Sequence, residues 1–188
     1  YPLGHFWTAG AFSDLPQTGG LDPAVGVDLE YFVDDRGFSR PLCRLEEKGL
    51  VWLDGLLTVK DKHGPERMVA KYARMEDLGH ALERGLVVFN DATGSFEPLV
   101  RSGPDFLPFH NCGHALAVDV AGLRYYYFAT QFPLSVRMRV RAGWGHVIDP
   151  NRYEVLTATH PPSSIIPHPS SPRWVRAGEL IDDDAAQM

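Results

Sequence analysis

The sequence predicts an all-β chain arranged as part of a β-propeller, with about two and a half to three four-stranded antiparallel blades and one short helix. Three observations lead there. A turn signature, Asp-x-x-Gly, begins at Asp34, Asp61, Asp91 and Asp119, at spacings of 27, 30 and 28 residues. The runs flanking these turns are dominated by β-branched and aromatic residues, which suit a pleated, half-buried surface. Two successive hairpins over residues 50–100 also make one four-stranded sheet, the unit a propeller repeats. A β-sandwich is the rival architecture, because it too has short strands between regularly spaced turns.

The elements follow in order. Aspartate at the first turn position accepts bonds from backbone amides ahead of it, and glycine at the last takes the positive φ that the turn requires. Residues 27–33 lead into the first turn and 39–45 leave it. Residues 50–59 and 67–72 flank the second, 86–89 and 96–100 the third, and 115–118 and 124–129 the fourth. Between the second and third hairpins, residues 75–84 (MEDLGHALER) carry Leu78 and Leu82 four apart among charged residues, which predicts a short helix. Arg137, Arg139 and Arg141 alternate with apolar residues, the period-two pattern of a strand edge with one solvated face. Residues 1–159 are expected to form the propeller-like domain, either whole or as a fragment of a larger ring. The Pro/Ser-rich residues 160–188 bury too little apolar surface to offset ordering and are expected to be loosely ordered.

Composition bounds the function. The 188 residues suffice for a sizeable core. With 18 Lys+Arg against 24 Asp+Glu, the formal net charge is −6, so neither nucleic acid nor a membrane surface is an expected partner. Cys43 and Cys112 are far apart in sequence and outside any C-x-x-C pair, leaving one disulfide or two free thiols equally open. P-loop, dinucleotide, zincin and hydrolase-elbow motifs are all absent, and no cofactor is expected.

The candidate site residues lie beside strand starts. Trp7, among small residues 4–12 (GHFWTAGAF), offers a flat face on which a sugar ring stacks, although large aromatics more often fill cores. Asp54, in WLDG, lies near the start of what reads as the innermost strand of a blade, where a carboxylate faces the channel; capping a tight turn with Gly55 is the alternative. His110, Cys112 and His114 (HNCGH) precede the next inner strand. They are read as ligand-contacting or structural histidines rather than zinc ligands, since a fourth partner is missing. Asp28 and Glu30 share one face of a strand, a solvated face more often than a catalytic pair. Arg67 and Arg74, on the following strand, suit a bidentate carboxylate contact or internal ion pairing.

Residues 51–72 (VWLDGLLTVKDKHGPERMVAKY) and 85–97 (GLVVFNDATGSFE) resemble blades of the five-bladed propeller glycosidase superfamily, which includes arabinanase-, xylosidase- and invertase-like enzymes, and also uncharacterised bacterial proteins of that architecture. The resemblance spans about residues 1–157 and rests on structural motifs. It implies glycoside hydrolysis by channel-lining carboxylates, for which Asp54 alone matches by position, and a carbohydrate ligand held by Trp7, Arg67, His110 and His114. A non-catalytic saccharide-binding or structural domain is the alternative. Action on polysaccharide would place the protein outside the cytoplasm, and open strand edges would invite self-association.

Overall fold

The computed structural model describes residues 8–13, 29–60, 63–129, 137–157 and 173–179. The chain is mostly β in these regions, with antiparallel sheets of two, four and five strands, a short α-helix at Trp144–Val147 and single 3-10 turns at Leu107–Phe109 and Pro150–Arg152. β1 (Ala11–Phe12) pairs with β2 (Glu30–Tyr31). Sheet one is a meander in chain order of β3 (Leu50–Lys60), β4 (Glu66–Met75), β5 (Ala81–Asn90) and β6 (Ser95–Ser102). Sheet two continues the same way through β7 (Leu116–Val120), β8 (Leu123–Ala129), β9 (Arg137–Arg141), β10 (Glu154–Thr157) and β11 (Arg173–Arg176). In both sheets the order of the strands follows the chain, and β6 adds one parallel bridge at Phe96 to Cys43.

Alternation along β4 explains the layering. Val69 and Lys71 face one side of sheet one, and Ala70 and Tyr72 face the other. The first side packs Val59, Val69 and Leu86 against Phe128, Met138, Val140 and Val155 of sheet two. The second packs Val51, Ala70, Tyr72, Val87 and Phe96 against Leu42 and Cys43 from the segment before β3. Sheet one is therefore the middle layer, buried on both faces. No propeller ring is formed by the described residues: sheet two has a fifth strand, and the two meanders stack as layers. A meander is encoded by its local hairpins, whereas a ring depends on how successive sheets are disposed, which hairpin turns do not encode.

The turn signature fares unevenly. At Asp34 it holds: Oδ1 accepts from the Arg36 and Phe38 amides (2.9 and 3.0 Å), and Gly37 has φ +80°. At Asp91 the glycine half holds, with Gly94 at φ +57° closing the β5–β6 hairpin, but the side-chain cap is Asn90, whose Oδ1 accepts from the Ala92 amide (2.9 Å). Of the Asp61 turn, residues 61 and 62 lie outside the described residues, but Lys60 pairs with Glu66 across it. At Asp119 the expectation fails. Asp119 lies inside β7 opposite Arg124, and the turn is the two-residue Ala121–Gly122 with φ +49° and +77°. Positive φ at both central positions marks a type I′ turn, in which alanine is strained. Ala121→Asn is expected to raise stability by about 0.5–1 kcal/mol in chemical denaturation, asparagine tolerating this region where alanine does not.

The predicted helix over 75–84 is not formed. Met75 ends β4, residues 76–80 make a loop closed by the Glu76 amide on the His80 carbonyl (2.9 Å), and Ala81 starts β5. Asp77 accepts from the Gly79 and His80 amides, so local side-chain capping outcompetes a helix whose Leu78 and Leu82 have no core to face. β9 is not an edge either, since it runs between β8 and β10. Within the stretch read as a loosely ordered tail, residues 173–176 form β11 on β10.

Candidate functional site

The site begins with a bulge. In β3, Asp54 pairs with Lys71 and Leu57 with Val69, so Gly55 and Leu56 together face the single residue Ala70. Gly55 takes φ +58°, and the extra residue resets the alternation. Asp54, Leu57 and Val59 consequently all point toward sheet two, which an unbulged strand would forbid for residues three apart. A Cβ on residue 55 would come within 2.8 Å of Cys112 Sγ and 3.3 Å of Lys71 Cδ, so glycine also makes room for the thiol.

Across the bulge the chain returns just before β7. The Cys112 amide donates to Asp54 Oδ2 (3.2 Å) and its thiol to Oδ1 (3.7 Å). Lys71, only 1% exposed, lies with its Nζ 3.8 Å from the centre of the Phe128 ring and 5.9 Å from that of Tyr153. Its ammonium makes no conventional hydrogen bond, although the Cys112 thiol and the Asp54 carboxylate are near enough to act on it electrostatically. A ring face substitutes partly for water around a cation.

The electrostatics follow from burial. Desolvation pushes the Asp54 carboxyl up to about 6, against the opposing pull of Lys71 and the Cys112 bonds. Desolvation likewise pushes the Cys112 thiol up to about 11 and draws the Lys71 ammonium below the usual lysine range. Cys112 is thus a neutral thiol near pH 7, a donor to Asp54 rather than a nucleophile. Around the trio, Arg84 donates to the Pro104 carbonyl (2.7 Å) and to Asn111 Oδ1 (2.5 Å), fixing the 104–112 segment against β5. His110 has its Nε2 buried and unpartnered, and burial with the Arg84 charge holds its imidazole below the ordinary range.

Of the residues singled out by sequence, Asp54 and His110 therefore belong to one neighbourhood. His114 is exposed, two residues past Cys112. Arg67 lies four residues along β4 from Lys71, roughly 13 Å at strand spacing, with its guanidinium 4.4 Å from the centre of the Trp144 ring. It lines a separate cleft of about 660 Å³ with Phe12, Thr58 and Phe89. Arg74 donates to the Lys48 carbonyl (2.9 Å) and pairs with Glu83, so it takes the internal role. Trp7 and Asp28 lie outside the described residues, and Glu30 is exposed in β2. Both cysteines are free and buried, which settles the disulfide alternative between them. His110, Cys112 and His114 do not gather as metal ligands: among the described residues no group of three or more His, Cys, Asp or Glu side chains could hold an ion.

Sequence reasoning missed Lys71. Its signal was present, a lone charge in the otherwise uncharged run Val69–Ala73, where alternation between two buried faces leaves no solvated side for it. Comparison of the chain with protein-family models, curated proteins and solved structures found no match.

Proposed function

We propose that the chain is a carbohydrate-active domain in which Asp54 exchanges a proton with a saccharide substrate. One observation carries the reading: a half-buried carboxyl, raised to about 6 by desolvation, lies where the first strand of one meander meets the segment entering the next. A carboxyl poised in that range holds a proton that a glycosidic oxygen can accept, the task of a general acid. The two consecutive meanders are the kind of unit that propeller blades repeat, and in a propeller β3 and β7 would both line the channel. Arg84 and His110 supply polar groups beside the carboxyl for orienting hydroxyls.

The test pairs wild type with Asp54→Asn against chromogenic glycosides and polysaccharides. Turnover is expected to fall by about 10²–10⁴-fold in the variant. Because an acid acts in its protonated form, wild-type kcat/KM should decline as pH rises through about 6. Unchanged turnover in a folded Asp54→Asn protein would sink the assignment.

A second reading is a saccharide-binding domain without catalysis. It is favoured by the saturation of Asp54, both of whose oxygens accept from Cys112, and by the lack of any second carboxylate among the groups acting on it. This reading predicts saturable saccharide binding with no hydrolysis products.

A further inference from the structure

Sheet two has a second face, turned away from Asp54. Along β9, Met138 and Val140 enter the core, so Arg139 and Arg141 project from the opposite side. Cross-strand pairing extends that side in two rows. Tyr127, Arg139, Glu154 and Arg176 are successive partners across four strands, and Tyr125 pairs with Arg141 beside them. Trp174 shares the face with Arg176, being two residues away on β11, while Val175 between them is buried.

Arg139 is held firmly. It donates to Glu154 Oε2 (2.6 Å) and to the Tyr127 hydroxyl (3.2 Å), and lies 4.2 Å from the centre of the Trp174 ring and 4.9 Å from that of Tyr125. With its planar group committed, Arg139 neutralises Glu154. Arg152 in turn pairs with Asp149 (2.9 Å) and donates to His146 Nδ1 (3.0 Å). An arginine always donates, so this bond fixes the imidazole as the neutral tautomer with its proton on Nε2. Burial and the charges of Arg152 and Arg141 favour that same neutral form.

A cleft of about 450 Å³ opens between these groups, lined by Tyr125, Arg141, His146, Arg152, Glu154 and Arg176 among others. Both carboxylates at the cleft, Asp149 and Glu154, are already paired. Arg141 and Arg176 have no hydrogen-bond or ion-pair partner among the described residues. Four arginines against two carboxylates leave two uncompensated positive charges in a chain whose formal net charge is −6.

We propose that this cleft is a binding site for a small oxyanion, carboxylate or tetrahedral, gripped between the guanidinium groups of Arg141 and Arg176. Guanidinium forks match planar carboxylates and tetrahedral sulfate or phosphate through paired hydrogen bonds. The Tyr125 ring beside Arg141 gives an apolar face for the body of a ligand that carries the anion. The oxyanion comes either free or on a sugar acid, and the site lies on the opposite face of sheet two from Asp54, so it does not depend on the catalytic reading.

The experiment is a chemical-shift titration of the whole 15N-labelled chain at constant ionic strength with sodium glucuronate, sodium sulfate, sodium phosphate and neutral glucose. Wild type should show saturable shifts in the amides of Tyr125, Arg141, Glu154 and Arg176 with at least one oxyanion and none with glucose. Tighter binding of glucuronate than of sulfate and phosphate identifies a sugar acid; the reverse order identifies a free tetrahedral ion. The double variant Arg141→Gln, Arg176→Gln, both positions being exposed, should lose affinity at least tenfold while keeping its melting transition. Asp54→Asn should bind unchanged. Non-saturating shifts with every salt, or equal affinity in the double variant, would overturn the proposal.

Discussion

Lys71→Met is expected to stabilise the protein by about 1–3 kcal/mol at pH 5, seen as a higher urea midpoint with the slope unchanged. Methionine keeps the length and apolar stem against Phe128 and Tyr153 while removing a buried ammonium whose nearest polar partner is the weakly accepting Cys112 thiol. The pH dependence follows from two opposed linkages. Lys71 has a folded-state affinity for protons below its unfolded value, so its favourable contribution is present at high pH and is lost as pH falls through the folded value. Asp54 is shifted the other way. Its contribution is complete below the unfolded value of 3.8 and is lost as pH rises through about 6. At pH 5 the Asp54 carboxyl beside Lys71 is largely protonated, so the carboxylate that would offset a buried ammonium is mostly absent. At pH 8 an ionised Asp54 in the variant lacks its nearest cation, so the gain should shrink. A variant destabilised at pH 5 would mean that the ammonium has a partner strong enough to repay its burial. A costly buried charge kept beside a half-buried carboxyl is the pattern expected where stability is exchanged for chemistry.

Gly85→Ala should have the largest destabilising effect of any single methyl added to sheet one. Gly85 sits in mid-β5, opposite Tyr72 on β4 and Arg101 on β6. A Cβ there would lie 2.0 Å from the Val100 carbonyl oxygen and 2.6 Å from Tyr72 Cε1. The Tyr72 ring covers the glycine, and its hydroxyl donates to Glu83, which also pairs with Arg74 and Arg101; Arg101 in turn binds Glu47 (2.6 Å). Backbone cannot retreat from the methyl without breaking the β5–β6 ladder, and the ring cannot move without disturbing that ion-pair network. A loss of about 3 kcal/mol or more is expected, or failure to fold. Gly103→Ala is the control: nothing lies within 4 Å of its added methyl, so its midpoint should stay within about 0.5 kcal/mol of wild type.

Local features of the chain were legible in the sequence. Most strands of the two meanders announce themselves through β-branched and aromatic runs, although the start of β5 reads as helix and β10 and β11 carry no such signal. The Asp34 turn announces itself through side-chain capping and a positive-φ glycine, and the Asp91 turn through its glycine, all short-range physics. The Asp119 turn was misread because Asp-x-x-Gly also arises by chance when a strand aspartate precedes a type I′ pair. The Arg137–Arg141 alternation was read correctly as a strand but placed at an edge, since no local signal tells which strands flank it. Asp54 could be singled out because it lies near the start of the strand that reads as the innermost of a blade. Its partners could not: Cys112 is 58 residues away, and the bulge that turns Asp54 toward it depends on register with β4. The oxyanion cleft is likewise a product of pairing, because Arg141 and Arg176 share a face only once β10 lies between their strands.

The strictly sequential strand order has a kinetic consequence. In sheet one each hairpin closes a loop of four or five residues, whereas 12 residues separate β9 from β10 and 15 separate β10 from β11. Sheet one can therefore nucleate ahead of sheet two, and the slow event is their docking through Val59, Val69, Phe128 and Val140. The Cys112–Asp54 bond belongs to that last event, since it ties the start of one meander to the entrance of the other. Opening of the seam between sheets would dismantle the Asp54 environment while leaving each ladder hydrogen-bonded. Amide exchange at Cys112 should therefore run faster than at the centres of β4 and β5, making the candidate site the first part of the native state to be lost and the last to be regained.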